Sequence, residues 1–580
     1  MVPAKLLVLF APPLLAATAC AGEFALTAEG KARCILVVGD KADPAERHAA
    51  EELQKYLAEI CGTPFEITRA KGPRIAIGRE VDGNLVSPEE YAALGAEGYL
   101  VRVSEGGIVI AGNTPRGTLY GAYALLEELG CRWFTPEVAR IPRSAAPRLA
   151  TGDRRFVPPL EYRATDYPNS RDADWAARNH LNGTQTRIDA ARGGKIGYSH
   201  FVHTFDELVP HAQFAAHPEW FSELGGKRTA EDAQLCVTNP ELLAHAIEVV
   251  RGWMKAAPEA TIFSVSQNDR FNPCQCAACT KAFHEEGDAW SGPYLRFVDA
   301  IGAALATEFP DKAIDTLAYQ FTRKPPEHAK PLPNVIVRLC SIECCFAHPL
   351  DSPAALDEAN AKFVFDLGEW SRRSQRLYVW DYVIDYSHSI MPFPNLFSLA
   401  PNIRTFVKNG VKGVYEEADY FTSGGEFAEL RTWILAKTLW DPQYDTEKAI
   451  AEFLDGYYED AARPLGQYIR LLHERAARER IHFNIWAGPD SALFDAATLK
   501  QADGIFDAAE EAVRAKPAVL ARVQTARMPL LYVEFCKTPS AETLERFDRS
   551  AKQAGVTHIN EWQLYADWLA KARAGVKAAK

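Results

Sequence analysis

The chain has 580 residues, 47% hydrophobic and 24% charged, and length alone predicts about three or four domains with sizeable cores. Its formal net charge is −12, and it carries no basic stripe or aromatic-basic interleaving, which argues against a nucleic-acid partner.

The first twenty-odd residues differ from the rest. Lys5 precedes an apolar run, Leu6 to Ala19, that is broken by Pro12 and Pro13 and followed by small residues around Cys20. Residues 1–22 read as an export signal, too short and too interrupted for a membrane span, so the mature chain is expected to be periplasmic, extracellular or held at the cell surface. Ala17 to Cys20 fit either a small-residue cleavage site or a poor lipoprotein box with a lipid anchor on Cys20. Of 12 cysteines, removing Cys20 leaves 12 − 1 = 11, an odd number that implies no evenly paired disulfide framework.

Residues 23–150 read as a small α/β accessory domain. Strands are predicted at Ile35 to Val38, Arg74 to Ile77, Tyr99 to Val103 and Gly107 to Ala111. Helices are predicted at Glu46 to Ile60, stopped by Gly62, and at Arg116 to Leu129. The turn Gly112 to Pro115 is a strand-to-helix connection rather than a phosphate loop. Ser144 to Pro159, rich in Pro, Arg and small residues, reads as a linker.

Between residues 155 and 440 strands and helices alternate. Eight strands are predicted: Leu160 to Ala164, Asn179 to Gly183, Gln234 to Thr238, Thr261 to Ser266, Ile314 to Tyr319, Val335 to Ser341, Arg376 to Trp380 and Gly413 to Tyr415. With their helices they predict an α/β fold of the (β/α)8 TIM-type barrel kind, and no glycine-rich dinucleotide turn supports a doubly wound sheet. Residues 441–580 read as a helical C-terminal domain, in which the His482 to Trp486 cluster suits interdomain packing or a substrate wall.

In such a barrel the residues after each strand converge on one mouth. Here they include Arg163, Asp166, His203, Asn268, Asp269, Tyr319, Glu343, Trp380, Asp381, Tyr382, Glu416 and Glu417. Carboxylates and aromatics dominate, a mixture suited to an oligosaccharide or glycoprotein glycan: aromatic faces stack on sugar C–H surfaces and a protonated acid assists a leaving oxygen. Asp269 is the first candidate acid and Asn268 a candidate substrate-orienting amide, although Asn-Asp-Arg also reads as a simple turn. Glu343, alone among apolar residues and cysteines, is the second candidate acid, or else the partner of a barrel arginine such as Arg338. Arg163, His203, Tyr319, Trp380, Asp381, Tyr382 and Glu416 are expected to hold the sugar. Cys274, Cys276 and Cys279, with His284 beyond them, have a spacing that suits a structural zinc, while a redox pair or a disulfide plus a free thiol fits equally well. No cofactor is expected in catalysis.

The stretches HPEWF, QLCVTNPE, SVSQNDRFNPCQCAAC, DTLAYQFTRKPP, VRLCSIECCFAHPL, LYVWDYV, GVKGVYEEADY and GGEFAELRTWILAKTLWDP resemble the family described as domain of unknown function 4838, which includes glycoside hydrolase family 163, endo-β-N-acetylglucosaminidases acting on N-glycans. AAEELQKYLAEICG and GNTPRGTLYGAYALLEELGCRWFTP resemble the N-terminal domain of α-glucuronidases and β-hexosaminidases. The resemblance implies a catalytic barrel and a retaining, substrate-assisted mechanism, with Asn268 orienting the acetamido group and Asp269 as acid. Related enzymes usually place a glutamate at the acid position, which keeps Glu343 in competition. The other readings are an α-glucuronidase-like hydrolase and a glycan-binding protein without turnover.

Overall fold

The computed structural model describes residues 22–578, so the export segment and Cys20 lie outside the described residues. The chain divides into two compact units, one running to Leu129 and including Ile141–Val157, the other comprising Gly130–Arg140 and Pro158 onward.

The first unit is built on a five-stranded sheet. Its order is Gly152–Phe156, Tyr99–Ser104, Gly107–Gly112, Arg74–Ile77, Ile35–Val38. Helix Pro44–Cys61 begins at a capping box of Asp43 and Glu46 and ends at Gly62, whose φ of 68° is the left-handed C-cap expected of glycine. Thr114 caps helix Pro115–Glu128, bearing out the structural reading of the Gly112 to Pro115 turn. Ser144 to Pro159 is not a free linker: Arg148–Ala150 and Gly152–Phe156 pair antiparallel with Glu23–Ala25 and Tyr99–Ser104. Side chains alternate in and out along these strands, and that pattern lay hidden under a Pro- and Arg-rich composition.

The second unit carries an all-parallel sheet of seven strands: β1 (Tyr162–Thr165), β2 (Tyr198–Ser199), β3 (Ile262–Ser264), β4 (Ala313–Ala318), β5 (Val335–Cys340), β6 (Leu377–Tyr382) and β7 (Gly413–Glu417). Their spatial order is β1-β7-β6-β5-β4-β3-β2. The two edge strands nevertheless meet: the Tyr162 and Tyr198 rings are 5.4 Å apart, so the sheet is curled. β4, β5 and β6 are buried at every position, which is why they read as near-continuous apolar runs.

The predicted strand set needs two corrections. Asn179 to Gly183 is not a strand, although the amides of Asn182 and Gly183 both donate to the Arg163 carbonyl of β1 at 3.2 Å and the Ile196 amide donates to the Asn182 carbonyl at 2.8 Å. Gln234 to Thr238 lies outside the sheet, with Leu235 bridging antiparallel to Phe221. The two-residue strand β2 was too short to show any periodicity.

Inside the curl, Arg338 of β5 and Asp315 of β4 form an ion pair at 2.7 Å, with side chains 1% and 0% exposed. The guanidinium lies over the rings of Phe201, Trp380 and Tyr198 at 4.5, 4.9 and 5.1 Å. From Thr446 onward the unit is mainly helical, interrupted by an irregular loop over residues 481–491 and a hairpin of His558–Asn560 and Gln563–Leu564. Among the described residues, no helix is long and apolar enough to cross a membrane.

Candidate active site

A cavity of about 600 Å³ opens at the C-terminal ends of the parallel strands. Its wall takes Trp380 and Tyr382 from β6, Tyr415 and Glu417 from β7, Asp166 after β1, His203 after β2, Asp269 after β3, and Tyr319 with Gln320 after β4. The helical region completes it with Ile485, Trp486, Glu561 and Trp562.

The strand pleat decides which predicted residues reach this space. Successive side chains point to opposite faces, so Trp380 and Tyr382 face the cavity while Asp381 between them turns outward and accepts a 2.5 Å hydrogen bond from the Ser341 hydroxyl. Glu416 is the register partner of Asp381 on β7 and is outside the lining too; Glu417, one residue on, faces in. Burial pushes Asp381 up to about 6 and Glu416 well above the usual carboxylate range. Arg163 also occupies an outward position: it is fully buried, donates to the carbonyls of His180 and Leu160 at 2.8 and 2.6 Å, and lies over the Trp440 ring. It holds the outer layer together and does not line the cavity.

Glu417, half-buried, and Asp166, buried, are the acids of the lining whose pKa values are raised. Glu417 accepts a 2.6 Å hydrogen bond from the Trp380 indole, and burial, reinforced by the Asp166 charge, pushes its carboxyl up to about 8. Asp166 accepts from the Tyr415 hydroxyl at 2.5 Å and from the Ala418 amide at 2.7 Å, yet burial still raises it to about 7. A carboxyl of this kind holds its proton near neutral pH and gives it up to a basic leaving oxygen.

Asp269 sits differently, as an exposed residue on the opposite run of loops. Its Oδ1 accepts from the Tyr319 hydroxyl at 3.1 Å, and that hydroxyl accepts from the Gln320 amide at 2.9 Å. His203 donates Nδ1–H to the Gln267 carbonyl at 2.8 Å, which leaves Nε2 as its acceptor, and burial lowers its pKa. His203 and Gln320 both adopt left-handed backbone conformations, with φ of 55° and 50°, a strain of about 1–3 kcal/mol each for residues other than glycine.

Asn268 does not reach the cavity. Its Nδ2 donates to Asp206 Oδ1 at 2.8 Å and its Oδ1 accepts from the Asp206 amide at 3.1 Å, so both ends of its side chain are used. The Arg270 amide donates to the Asn268 carbonyl at 2.8 Å, the turn that Asn-Asp-Arg suggested. Glu343 is exposed and outside the lining; its Oε2 pairs with Arg323 at 2.7 Å, and Arg323 also holds Asp366. It is therefore an ion-pair partner, but of Arg323, because Arg338 is committed to Asp315.

The structure brings Cys274, Cys276 and Cys279 together with Cys236, not with His284. His284 is exposed, with Nδ1 2.6 Å from Asp288 Oδ1.

A model described as Domain of unknown function (DUF4838) matches residues 133–470. The chain belongs to this family. A second model, Glycosyl hydrolase family 67 N-terminus, matches residues 26–125. Among solved structures, the chain is similar to Streptomyces plicatus N-acetyl-β-hexosaminidase in complex with Thio-NAglucal, at 13% identity over 75% of this chain and 91% of that one, with a TM-score of 0.44. A mutant of that enzyme in complex with product GlcNAc gives 13%, 76%, 92% and 0.44. A GH138 enzyme targeting pectin rhamnogalacturonan II gives 10% identity over 94% of this chain and 98% of that one, with a TM-score of 0.41. None of the curated proteins compared matches the chain. The DUF4838 match covers the strand-borne part of the cavity and ends before Ile485, Trp486, Glu561 and Trp562.

Trp486 belongs to the His482 to Trp486 cluster that suited a substrate wall, whereas Glu561 and Trp562 were the hardest to find from sequence. Trp562 and Glu561 occupy the tip of the His558 to Leu564 hairpin, where the Tyr420 hydroxyl donates to Glu561 at 2.6 Å. Only an exposed aromatic at a hairpin turn could have signalled them.

Proposed function

We propose that the chain is an exported retaining glycoside hydrolase that cleaves β-N-acetylglucosaminide linkages in glycans, its curled sheet acting as a (β/α)8-type barrel with the irregular 182–184 segment as one stave. The observation that carries this reading is the cavity itself: aromatic walls around a half-buried, proton-holding Glu417 and an exposed Asp269. Two acids in contrasting environments are what acid-assisted glycoside cleavage needs.

In this reading Glu417 takes the acid role first expected of Asp269. It protonates the leaving oxygen as the substrate's acetamido oxygen attacks the anomeric carbon and the glycosidic bond breaks. Water then opens the resulting oxazolinium, giving its proton back to Glu417, with retention. Asp269, held by the Tyr319 hydroxyl, accepts the acetamido N–H and aims its oxygen. The N-acetylglucosamine preference rests on the sequence resemblance to endo-β-N-acetylglucosaminidases. A uronate substrate is disfavoured, because Arg171 is the one cation in a lining that holds Asp166, Asp269, Glu417 and Glu561.

The test is a panel of N-glycans and aryl glycosides with the purified protein. Hydrolysis of N-acetylglucosaminides is expected, with a loss of about 10²-fold or more in Asp269→Asn and none in Glu343→Ala. Equal hydrolysis of the matching glucosides, which lack the acetamido group, would sink the assisted mechanism.

A further inference from the structure

We propose that Cys236, Cys274, Cys276 and Cys279 form a four-thiolate zinc site that anchors the loop bearing Asp269. The site stands on its own geometry and does not depend on the glycosidase reading.

The four sulfurs lie within 4.8 Å of one another and all four residues are buried. Cys236 Sγ is 3.7 Å from Cys276 Sγ and 3.8 Å from Cys279 Sγ. Zinc–sulfur bonds of about 2.3 Å in a tetrahedron put sulfurs about 3.8 Å apart, whereas a disulfide needs about 2.05 Å. Both separations match the edge of a metal tetrahedron. An all-sulfur tetrahedral set selects zinc over harder cations, and four protein ligands leave no position for a reacting water.

The surroundings suit thiolates. The Glu223 amide and Arg228 Nη1 approach Cys274 Sγ at 3.3 and 3.4 Å, and the Thr238 hydroxyl lies 3.1 Å from Cys279 Sγ. Such contacts orient metal-bound sulfur, and the Arg228 cation offsets the net negative charge of zinc with four thiolates. Cys276 stands at the N-terminal boundary of helix Ala277–Glu285 with its sulfur making no capping bond, and Cys279 lies in the first turn, three residues on, so both sulfurs face one side.

The same contacts tie the cluster to Asp269. Gln234, two residues before Cys236, donates from Nε2 to the carbonyls of Asn268 at 2.9 Å and Arg270 at 2.6 Å, and accepts from the Asn268 amide at 3.0 Å. This clamp straddles Asp269. A metal joining Cys236 to Cys274 fixes the chain on both sides of it.

A second group, Cys345, His348, Asp357 and His482, resolves into two hydrogen-bonded pairs, Cys345–His348 at 3.3 Å and Asp357–His482 at 2.8 Å, and serves as the control.

The experiment is elemental analysis of the full chain purified without chelator, together with thermal unfolding before and after zinc chelation. Wild type and His284→Ala are expected to hold about one zinc per chain, as four cysteines saturate one ion. Cys236→Ser is expected to lose most of it, Cys345→Ser to keep it, and chelation to lower the wild-type midpoint. Cobalt substitution should give a thiolate-to-metal absorption band in wild type. If Cys236→Ser does not fold, the wild-type chelation and cobalt measurements still decide. The proposal is overturned by a metal-free wild type, by iron in place of zinc, by a disulfide within the cluster, or by zinc that follows Cys345.

Discussion

Replacing Glu417 with glutamine removes the proton this position offers while keeping its shape and an oxygen for the Trp380 indole. General acid catalysis contributes about 10²- to 10⁴-fold, so kcat on glycans with poor leaving groups should fall by that factor. Activated aryl glycosides, whose leaving group needs little protonation, should lose far less. The pH profile supplies a second readout. Burial raises the folded-state pKa from 4.5 to about 8, so wild-type activity should decline as the pH rises through about 8, and this limb should be missing in the variant. Stability gives a third. With the folded value above the unfolded one, the group's stabilising contribution is complete below about 4.5 and is lost as the pH rises through about 8. Glu417→Gln should therefore show a smaller alkaline fall in unfolding midpoint between pH 5 and 9 than wild type, the remainder coming from the other raised acids such as Asp166 and Asp385. Steady-state kinetics across pH with both substrate types, and thermal unfolding at the two extremes, measure all three. Equal losses on good and poor leaving groups with the alkaline limb intact would refute the assignment of Glu417 as acid.

Trp486 and Trp562, stacked at 6.0 Å and 49% and 67% exposed, lie in the cavity lining and in the proposed function serve as a platform for sugars beyond the cleaved bond. Trp562→Ala should raise KM for long glycans about tenfold, the loss of roughly 1.4 kcal/mol of stacking, with a smaller effect on aryl monosaccharides; equal effects on both would reject the platform. Asp315→Leu leaves Arg338 charged and unpaired in the curl and should cost about 3–5 kcal/mol in urea unfolding, while adding Arg338→Met should restore much of it. A double variant no more stable than the single one would show that the arginine is held by its ring contacts instead.

The apolar runs that became β3 to β7 were plain in the sequence because buried parallel strands need β-branched and aromatic residues on both faces. The irregular third of the curl was not: Asn182 and Gly183 reach Arg163 through backbone amides, a contact to which side-chain type gives no clue. Tyr319, Trp380, Tyr382, His203 and Asp269 were found as strand-end residues. Arg163, Asp381 and Glu416 were grouped with them because proximity to a strand end was weighed without the pleat, which moves neighbours to opposite faces. Cys236 was passed over for His284 on nearness in sequence, although a fold brings distant cysteines together as readily as near ones.

The pleat also bears on the chemistry. Asp381 and Glu416 face outward, and burial raises both although neither lines the cavity, so a perturbed carboxyl alone does not mark an active site in this fold. Glu417 shares a raised pKa and a place in the cavity wall with Asp166, but both Asp166 oxygens already accept hydrogen bonds, from Tyr415 and Ala418; Asp269 is marked by its exposure and its hydroxyl partner. Asp166, Glu417, Asp385 and Asp419 are all raised by burial, and Asp166 adds its charge to the burial that raises Glu417 and Asp419. Of these, Asp166 and Glu417 line the cavity, and charge on Asp166 raises the cost of charge on Glu417, which favours the protonated form there. The Asp269 wall, tied through Gln234 to the cysteine cluster, is fixed by hydrogen bonds rather than by burial. In the proposed mechanism, proton donation thus falls to the β7 side of the cavity and substrate positioning to the side that follows β3.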